Sequence, residues 1–451
     1  MCVCVCPLGN YPQIQTTEEG AGMARRPGAR LRPQIQSTEQ GAGVTCRRSP
    51  RLHPQIEATE KGAGVSRRRA SPASLPDDDD MLREILIRLP ALPSSLPRAS
   101  AVWKRWRGLV TDPRFLREFY ARHRNPPPLL GVFSRRNQGK GIAFSPIPDP
   151  PDRIPPRRLS LGRCGSGDGY TLLDCRHGLV LVKNSSRTEF LVCDPVTGEQ
   201  RRVPVPPELK TRFFNGAVLC AAGHQHQGHV HGGCHSTPFK VVLMSTYKQY
   251  NQPFARVYSS ETGIWGDPIL TEAPCEISRK PAVQVGGCLY WLSIGDNILE
   301  FDLGEHSLTV IRGPPVADGI LFRNCQIIQA ENGAVGYAVL SYPRFEVWQR
   351  SISAHGVATW VMWKTVDMHT ILRLPHPHDD EMSVQLLGYD EDDAVFLCYD
   401  GSVYMVQIKS MQSKKLNEIH STGNRCFPFK SFFTPGAAIA GRFGAAMLQI
   451  G

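Results

Sequence analysis

From about residue 130 to residue 435 the chain is written in short apolar runs broken by Gly, Asp, Asn and Pro, and this punctuation limits the fold more than any other feature. GLVLV (178–182), FLVCD (190–194), FKVVLM (239–244), CLYWL (288–292), ILEFDL (298–303), AVFLCYD (394–400) and SVYMVQI (402–408) are too short for helices. They are rich in the β-branched and aromatic residues that pack well on a pleated surface. No long segment of helical period interrupts them, so the region reads as all-β. A grammar recurs: an apolar strand, a polar turn, then a return strand. It appears in LVCDPVTGEQRRV, ARVYSSETGIWG, ILEFDLGEHSLTVI, EVWQRSISAHGVATWVMWKTV and VYMVQIKSMQSKKL. Taking Val192, Val257, Phe301, Val347 and Val406 as equivalent points, the spacings are 65, 44, 46 and 59 residues. A four-stranded propeller blade needs roughly 40–50 residues, so two spacings fit directly and two require inserted loops. Five to six blades are expected; one or two β-sandwiches are the rival architecture.

The first 74 residues differ in kind. PQIQTTEEGAGMARRPGARLR begins at Pro12, PQIQSTEQGAGVTCRRSPRLH at Pro33 and PQIEATEKGAGVSRRRASPAS at Pro54, a repeat of 21 residues. Each unit offers one Ile, a GAG triplet and an Arg cluster. A stacked repeat must bury a face against its neighbours, and these units have almost none, so 1–74 is expected to be a disordered, duplicated tail. Arg47-Arg48 and Arg67–Arg69 could serve as a nuclear-import or nucleic-acid patch, but short Arg runs are common and unspecific, and they read first as a solvated basic tail. The tail also explains much of the charge. Of a formal +11, residues 1–76 hold 11 Lys+Arg against 5 Asp+Glu, 77–124 hold 10 against 7, and 125–451 hold 31 against 29. The large β region is nearly neutral and gives no electrostatic reason to expect nucleic acid. No run approaches the roughly 20 apolar residues that span a bilayer, so no membrane association is expected. MCVCVCPLGN lacks the features of a secretory signal. The 14 Cys are then expected to be reduced thiols.

Residues 75–124 carry the clearest helical signal. Asp77–Asp80 place capping oxygens and negative charge at a helix start. Leu82, Ile85, Leu86 and Leu89 follow as one apolar stripe, and Pro90 ends it. Ser94 and Ser95 can cap a second helix with Ala99, Val102, Trp103, Trp106, Leu109 and Val110 on its apolar face. Asp112-Pro113 then opens a third, with Phe115, Leu116 and Phe119 inside. Three short helices in about 50 residues make a marginal core that leans on a partner.

The pattern LPDD…L…EILIRLP, then L…ASAVWKRWRGLV, then DPRF, resembles the F-box. Trp103 departs from it where plant members often carry Cys. The resemblance implies docking on the Skp-type adaptor of a cullin–RING (SCF-type) ubiquitin ligase, with adaptor contact carried by Leu75, Pro76, Leu82, Ile85, Leu86, Leu89, Pro90, Leu96 and Trp106. Behind it, DCRHGLVLV…CDPVTGE, GGCLYWL…ILEFDL, VWQR…ATW and LLGYDEDD are similar to the propeller-like region of plant, especially grass, F-box proteins. The organisation expected is an α+β multidomain chain: tail 1–74, F-box 75–124, β-propeller-like domain 130–435 and a C-terminal tail 436–451. The function implied is that of a non-catalytic substrate receptor, in the cytoplasm or nucleus, whose β domain binds a protein target. A nuclear regulatory module using the basic tail is the alternative, and a propeller enzyme a third.

Catalytic motifs are absent: no GxxxxGK[ST], HExxH, GxSxG or kinase set occurs. HQHQGHVHGGCHS holds His224, His226, His229, His231, Cys234 and His235, good zinc donors by type. Its compact Gly- and Gln-rich character reads instead as an exposed loop filling the 65-residue spacing, so no metal and no cofactor are expected. Cys2, Cys4 and Cys6 lack CxxC spacing. Gly165–Gly169 lacks the strand and helix of a phosphate cradle. Asp379–Glu381 and Asp390–Asp393 read as solvated turns.

Overall fold

The computed structural model describes residues 78–435 except for 124–126, 137–140, 166–168, 207–208, 210–213, 223–229, 235–236, 248–251, 272, 296, 317–323, 374–383, 392 and 421–424. The repeat tail with Cys2, Cys4 and Cys6, and the segment 436–451, lie outside the described residues.

The β region begins with an antiparallel pair, β1 (Leu129–Arg135) and β2 (Ile142–Pro146). Five antiparallel sheets follow in chain order. The first blade is β3 (Tyr170–Arg176), β4 (Leu179–Asn184), β5 (Glu189–Cys193) and β6 (Gln200–Pro204). The second is β7 (Phe214–Cys220), β8 (Phe239–Tyr247) and β9 (Gln252–Ser259), with the short edges β10 (Ile264–Trp265) and β11 (Ile269–Leu270). The third joins β12 (Glu276–Ile277), β13 (Val283–Val285), β14 (Cys288–Ile294), β15 (Asn297–Asp302) and β16 (Ser307–Arg312). The fourth is β17 (Cys325–Gln329), β18 (Val335–Ser341), β19 (Arg344–Ile352) and β20 (Ala358–Asp367). The fifth is β21 (Val384–Asp390), β22 (Ala394–Tyr399), β23 (Ser402–Gln407) and β24 (Ser413–His420). The last strand, β25 (Phe427–Lys430), pairs with β1, so the sixth sheet runs β25-β1-β2. Innermost strands neighbour one another around an axis, with β25 between β21 and β3. This is a six-bladed propeller closed by pairing its two ends.

Val192, Val257, Phe301, Val347 and Val406 fall on β5, β9, β15, β19 and β23, the third strand of five successive blades. The long spacings have visible causes: the segment between Cys220 and Phe239 in the second blade, and the long β19–β20 pair with α5 (Met368–Leu372) in the fourth. The second strand of each of these five blades is largely apolar because both its faces meet other blades; all six residues of β22 are buried. The turn from third to fourth strand repeats one device. The Asp194 carboxylate accepts from the Val196 and Thr197 amides, and Asp302 accepts from Gly304 and Glu305.

Apolar clusters fill the space between adjacent blades. At the closure, Phe429 lies edge-on to Phe133 and Phe144, with ring centroids 5.3 and 6.3 Å away. Gly388, at a shift in the β21–β22 register, admits the Cys426 carbonyl so closely that any Cβ would collide with it.

Four helices precede the strands: α1 (Asp79–Leu86), α2 (Ser95–Val102), α3 (Lys104–Thr111) and α4 (Pro113–Arg122). Asp78 caps α1 and Asp112 caps α4, whose first residue is Pro113, as the sequence predicts. The expected second helix is instead two. Trp103 adopts an extended backbone, φ −157° and ψ 152°, and this break turns Val102 and Trp103 outward to 58% and 50% exposure. Leu82, Leu86, Leu96, Ala99, Val110, Phe115 and Phe119 form the module's core. Phe432, just past β25, completes it and stacks on Tyr120 at 4.3 Å. Phe429→Ala is expected to cost about 3–5 kcal/mol, as for a fully buried ring in a site that cannot collapse. Urea denaturation monitored by tryptophan fluorescence measures it.

Candidate functional site

Among the described residues, the outer surface of the helical module and the axis of the propeller offer themselves to ligands or partners.

The structure divides the nine residues expected to meet an adaptor. Leu75 and Pro76 lie outside the described residues. Leu82, Leu86 and Leu96 are 2%, 1% and 3% exposed and pack into the module's own core. Leu89 and Trp106 are half-buried against that core, while Ile85 and Pro90 are exposed. The open apolar side chains are Met81, Ile85, Leu92, Val102 and Trp103. Arg105 reaches Asp79 at 2.6 Å and so draws the start of α1 towards the start of α3, where Trp103 sits. Sequence periodicity missed Val102 and Trp103 as surface residues because it assumed an unbroken helix.

At the axis lies a cavity of about 440 Å³. The ends of the innermost strands supply its walls, including Asp174, Arg176, Gln326, Asp390, Glu391 and Lys430, and His231 stands on the helical side. Asp390 and Glu391 correct the sequence expectation of a solvated turn: Asp390 is 6% exposed and Glu391 faces a buried cation. Each of these carboxylates has a positive partner. Arg176 Nη2 lies 3.1 Å from Glu391 and 3.8 Å from Asp174, and donates to the Ala282 carbonyl at 2.8 Å. Lys430 Nζ meets Asp390 at 2.5 Å. The Val218 amide donates to Asp174 at 2.9 Å, and the Gln284 amide to Glu391 at 3.2 Å. Burial pushes the Asp174 carboxyl up to about 6, against the pull of Arg176 and the Val218 amide.

A second buried cation crosses the same axis. Lys280, 5% exposed, donates to the carbonyls of Cys325 (2.5 Å) and Leu386 (3.1 Å), which belong to the fourth and fifth blades. Asn215, from the second blade, donates to the Lys280 carbonyl at 2.5 Å. Arg176 and Lys280 therefore brace blades against each other across the centre. Chemically this is a set of buried ion pairs, Arg176 with Glu391 and Asp174 and Lys430 with Asp390, beside a lysine held by backbone carbonyls.

Comparison with known proteins now decides the family. The family model for the β-propeller of F-box protein AT5G49610-like proteins matches residues 171–435. The chain belongs to this family. Among related F-box proteins of Arabidopsis thaliana, the F-box/LRR-repeat/kelch-repeat protein At2g27520 is 21% identical over 327 residues, which is 70% of this chain and 83% of that one. The F-box/kelch-repeat protein At3g61590 is 25% identical over 256 residues, 54% of this chain and 58% of its own. The F-box protein At5g03970 is 23% identical over 293 residues, 60% and 65% respectively. In this F-box protein no helix among the described residues is long and apolar enough to cross a membrane.

Of the remaining candidates, His231 and Cys234 are described and His224, His226, His229 and His235 are not. The structure adds Cys220, at the end of β7, to the first two; sequence reading passed it over because it lies outside the His-rich stretch. Asp379–Glu381 and most of the Gly165–Gly169 loop also lie outside the described residues.

Burial pushes the Lys280 ammonium down from 10.5 to about 7. Between these values the unfolded chain holds the proton and the folded protein does not, so stability rises with pH across that window. The melting temperature of the wild type should therefore rise relative to that of Lys280→Met on moving from pH 6.5 to pH 9. A difference independent of pH would show that Lys280 keeps its charge when folded.

Proposed function

We propose that this chain is the substrate-recognition subunit of an SCF-type ubiquitin ligase. The helical module docks on a Skp-type adaptor, and through it on the cullin–RING core, while the propeller holds a target protein. The chain itself carries no covalent chemistry; it contributes by proximity, converting an encounter between target and conjugating enzyme into an event within one assembly.

The observation that supports this most is the open apolar surface of the module, Met81, Ile85, Leu92, Val102 and Trp103, on a small core that already uses its other large side chains internally. Large apolar side chains left open on a small module are what an interaction surface would use. Family membership points the same way, since the relatives are F-box proteins. The ion-paired axis supports a receptor over an enzyme, because its carboxylates are already held by Arg176 and Lys430. For the target side, the reading favours the β19–β20 hairpin of the fourth blade. Ile352 at the end of β19, Val357 in the turn, and Val361 and Met362 on the outermost strand are all exposed there.

The test is co-purification of the full chain with a Skp-type adaptor. Burying an apolar side chain of this size contributes about 1.5–3 kcal/mol, so Ile85→Lys with Trp103→Lys should weaken capture at least about tenfold. Both side chains are solvent-facing, and the melting temperature should stay unchanged. No capture by the wild type, or equal capture by the variant, removes the receptor reading.

A further inference from the structure

Among the described residues, one group of His, Cys and acidic side chains is close enough to share an ion: Cys220, His231 and Cys234, whose ligand atoms all lie within 4.8 Å of one another. We propose that these three residues form a zinc site that pins the β7–β8 connection into the joint between the helical module and the propeller. This departs from the expectation, drawn from the composition of the stretch, that no metal is bound.

Donor type and spacing carry the argument. Two thiols and one imidazole are a soft, zinc-selective set. Tetrahedral zinc, with bonds of about 2.3 Å to sulfur and 2.0–2.1 Å to nitrogen, places those two ligand atoms about 3.6 Å apart. Cys234 Sγ stands 3.6 Å from His231 Nδ1. The ligands also come from separated places in the chain, Cys220 at the end of β7 and the other two just before β8, so the two sides of the connection supply one site.

A supporting shell is present. The Cys220 amide donates to His177 Nδ1 at 3.2 Å, which fixes that ring with its proton on Nε2. The His177 ring lies flat on His231, centroids 3.8 Å apart and planes at 11°, and so orients the ligand ring. The Thr237 hydroxyl donates to the Cys234 carbonyl at 2.7 Å and lies 3.4 Å from Cys220 Sγ.

The position gives the site its consequence. Val230 packs on the helical core, and Gly233 lies against the Tyr120 ring. The Gly232 carbonyl accepts from the Ser431 hydroxyl at 2.8 Å and the Phe432 amide at 3.2 Å. Residues 230–234 thus touch both bodies at once, and a metal bound there would stiffen the joint.

The full chain, purified under reducing conditions, should carry about one zinc per molecule by elemental analysis. After chelation, added Co²⁺ should give thiolate-to-cobalt charge transfer and the d–d bands of a tetrahedral ion. Cys220→Ser with Cys234→Ser should abolish the charge-transfer band, and His177→Gln should weaken binding about tenfold while keeping the spectrum. Replacing His224, His226, His229 and His235 by Gln should leave the charge-transfer band in place. The proposal fails if folded wild type gives no cobalt bands. It fails too if the double Cys variant keeps its zinc, or if mass spectrometry finds Cys220 and Cys234 joined as a disulfide in the reduced preparation.

Discussion

Ring closure is the constraint on which the rest depends. A propeller has no stable partial form in which every blade has two neighbours, so the first and last strands must find each other across the whole domain. Here β25 does this alone, pairing with β1 on one side and lying against β3 and β21 around the axis. Phe429 supplies the buried surface that makes the pairing favourable, and Gly388 the clearance that lets β21 approach the Cys426 carbonyl. The same chain reversal fixes the helical module. Helix α4 leads into β1, Phe432 follows β25, and the Tyr120–Phe432 stack is therefore a direct consequence of closure. Contacts of such high sequence separation also predict slow folding relative to domains built on local pairings.

The axis deals with closure in a second currency. Six innermost strands leave a central space too wide for backbone pairing, and long cationic side chains reach across it. Arg176 and Lys280 are both almost fully buried, an arrangement that is costly unless their hydrogen bonds are met. Lys280 meets this with carbonyls of two other blades and a lowered affinity for its proton. Arg176 relies on Glu391 and Asp174 through one nitrogen, leaving Nε and Nη1 without partners. Buried polar groups of this kind favour one register of blades over slipped alternatives, because a shift would strand the charges.

What was legible in the sequence followed from local physics. The strand–turn–strand grammar located the third strand of five blades because the Asp-capped turns at Asp194 and Asp302 recur with it. The sixth blade was not legible as a repeat, since its strands come from opposite ends of the region. The capping signals at Asp78 and Asp112 were readable for the same local reason. The break at Trp103 was not, because tertiary contacts decide whether α2 continues into α3. Likewise the acidic run at Asp390 looks solvated until β21 is placed opposite Arg176, and Cys220 looks incidental until β7 is brought beside His231. Features that need two distant segments to meet leave little trace in composition or period.

On the receptor function proposed above, the docking surface and the target surface must be held at a fixed separation, since a loose hinge would dilute the effective concentration the receptor creates. In this chain the joint is built from side chains of both bodies: Tyr120 and Phe432 stacked, Val230 inserted into the helical core, and the Ser94 amide donating to Asp152 at 3.1 Å. A short linker alone would not achieve this, because backbone torsions at two or three residues can swing a small module widely. Residues 230–234, between β7 and β8, touch the helical module and the segment after β25 together. Stiffness at the joint, more than any single contact surface, is what would convert two binding events into one reaction geometry.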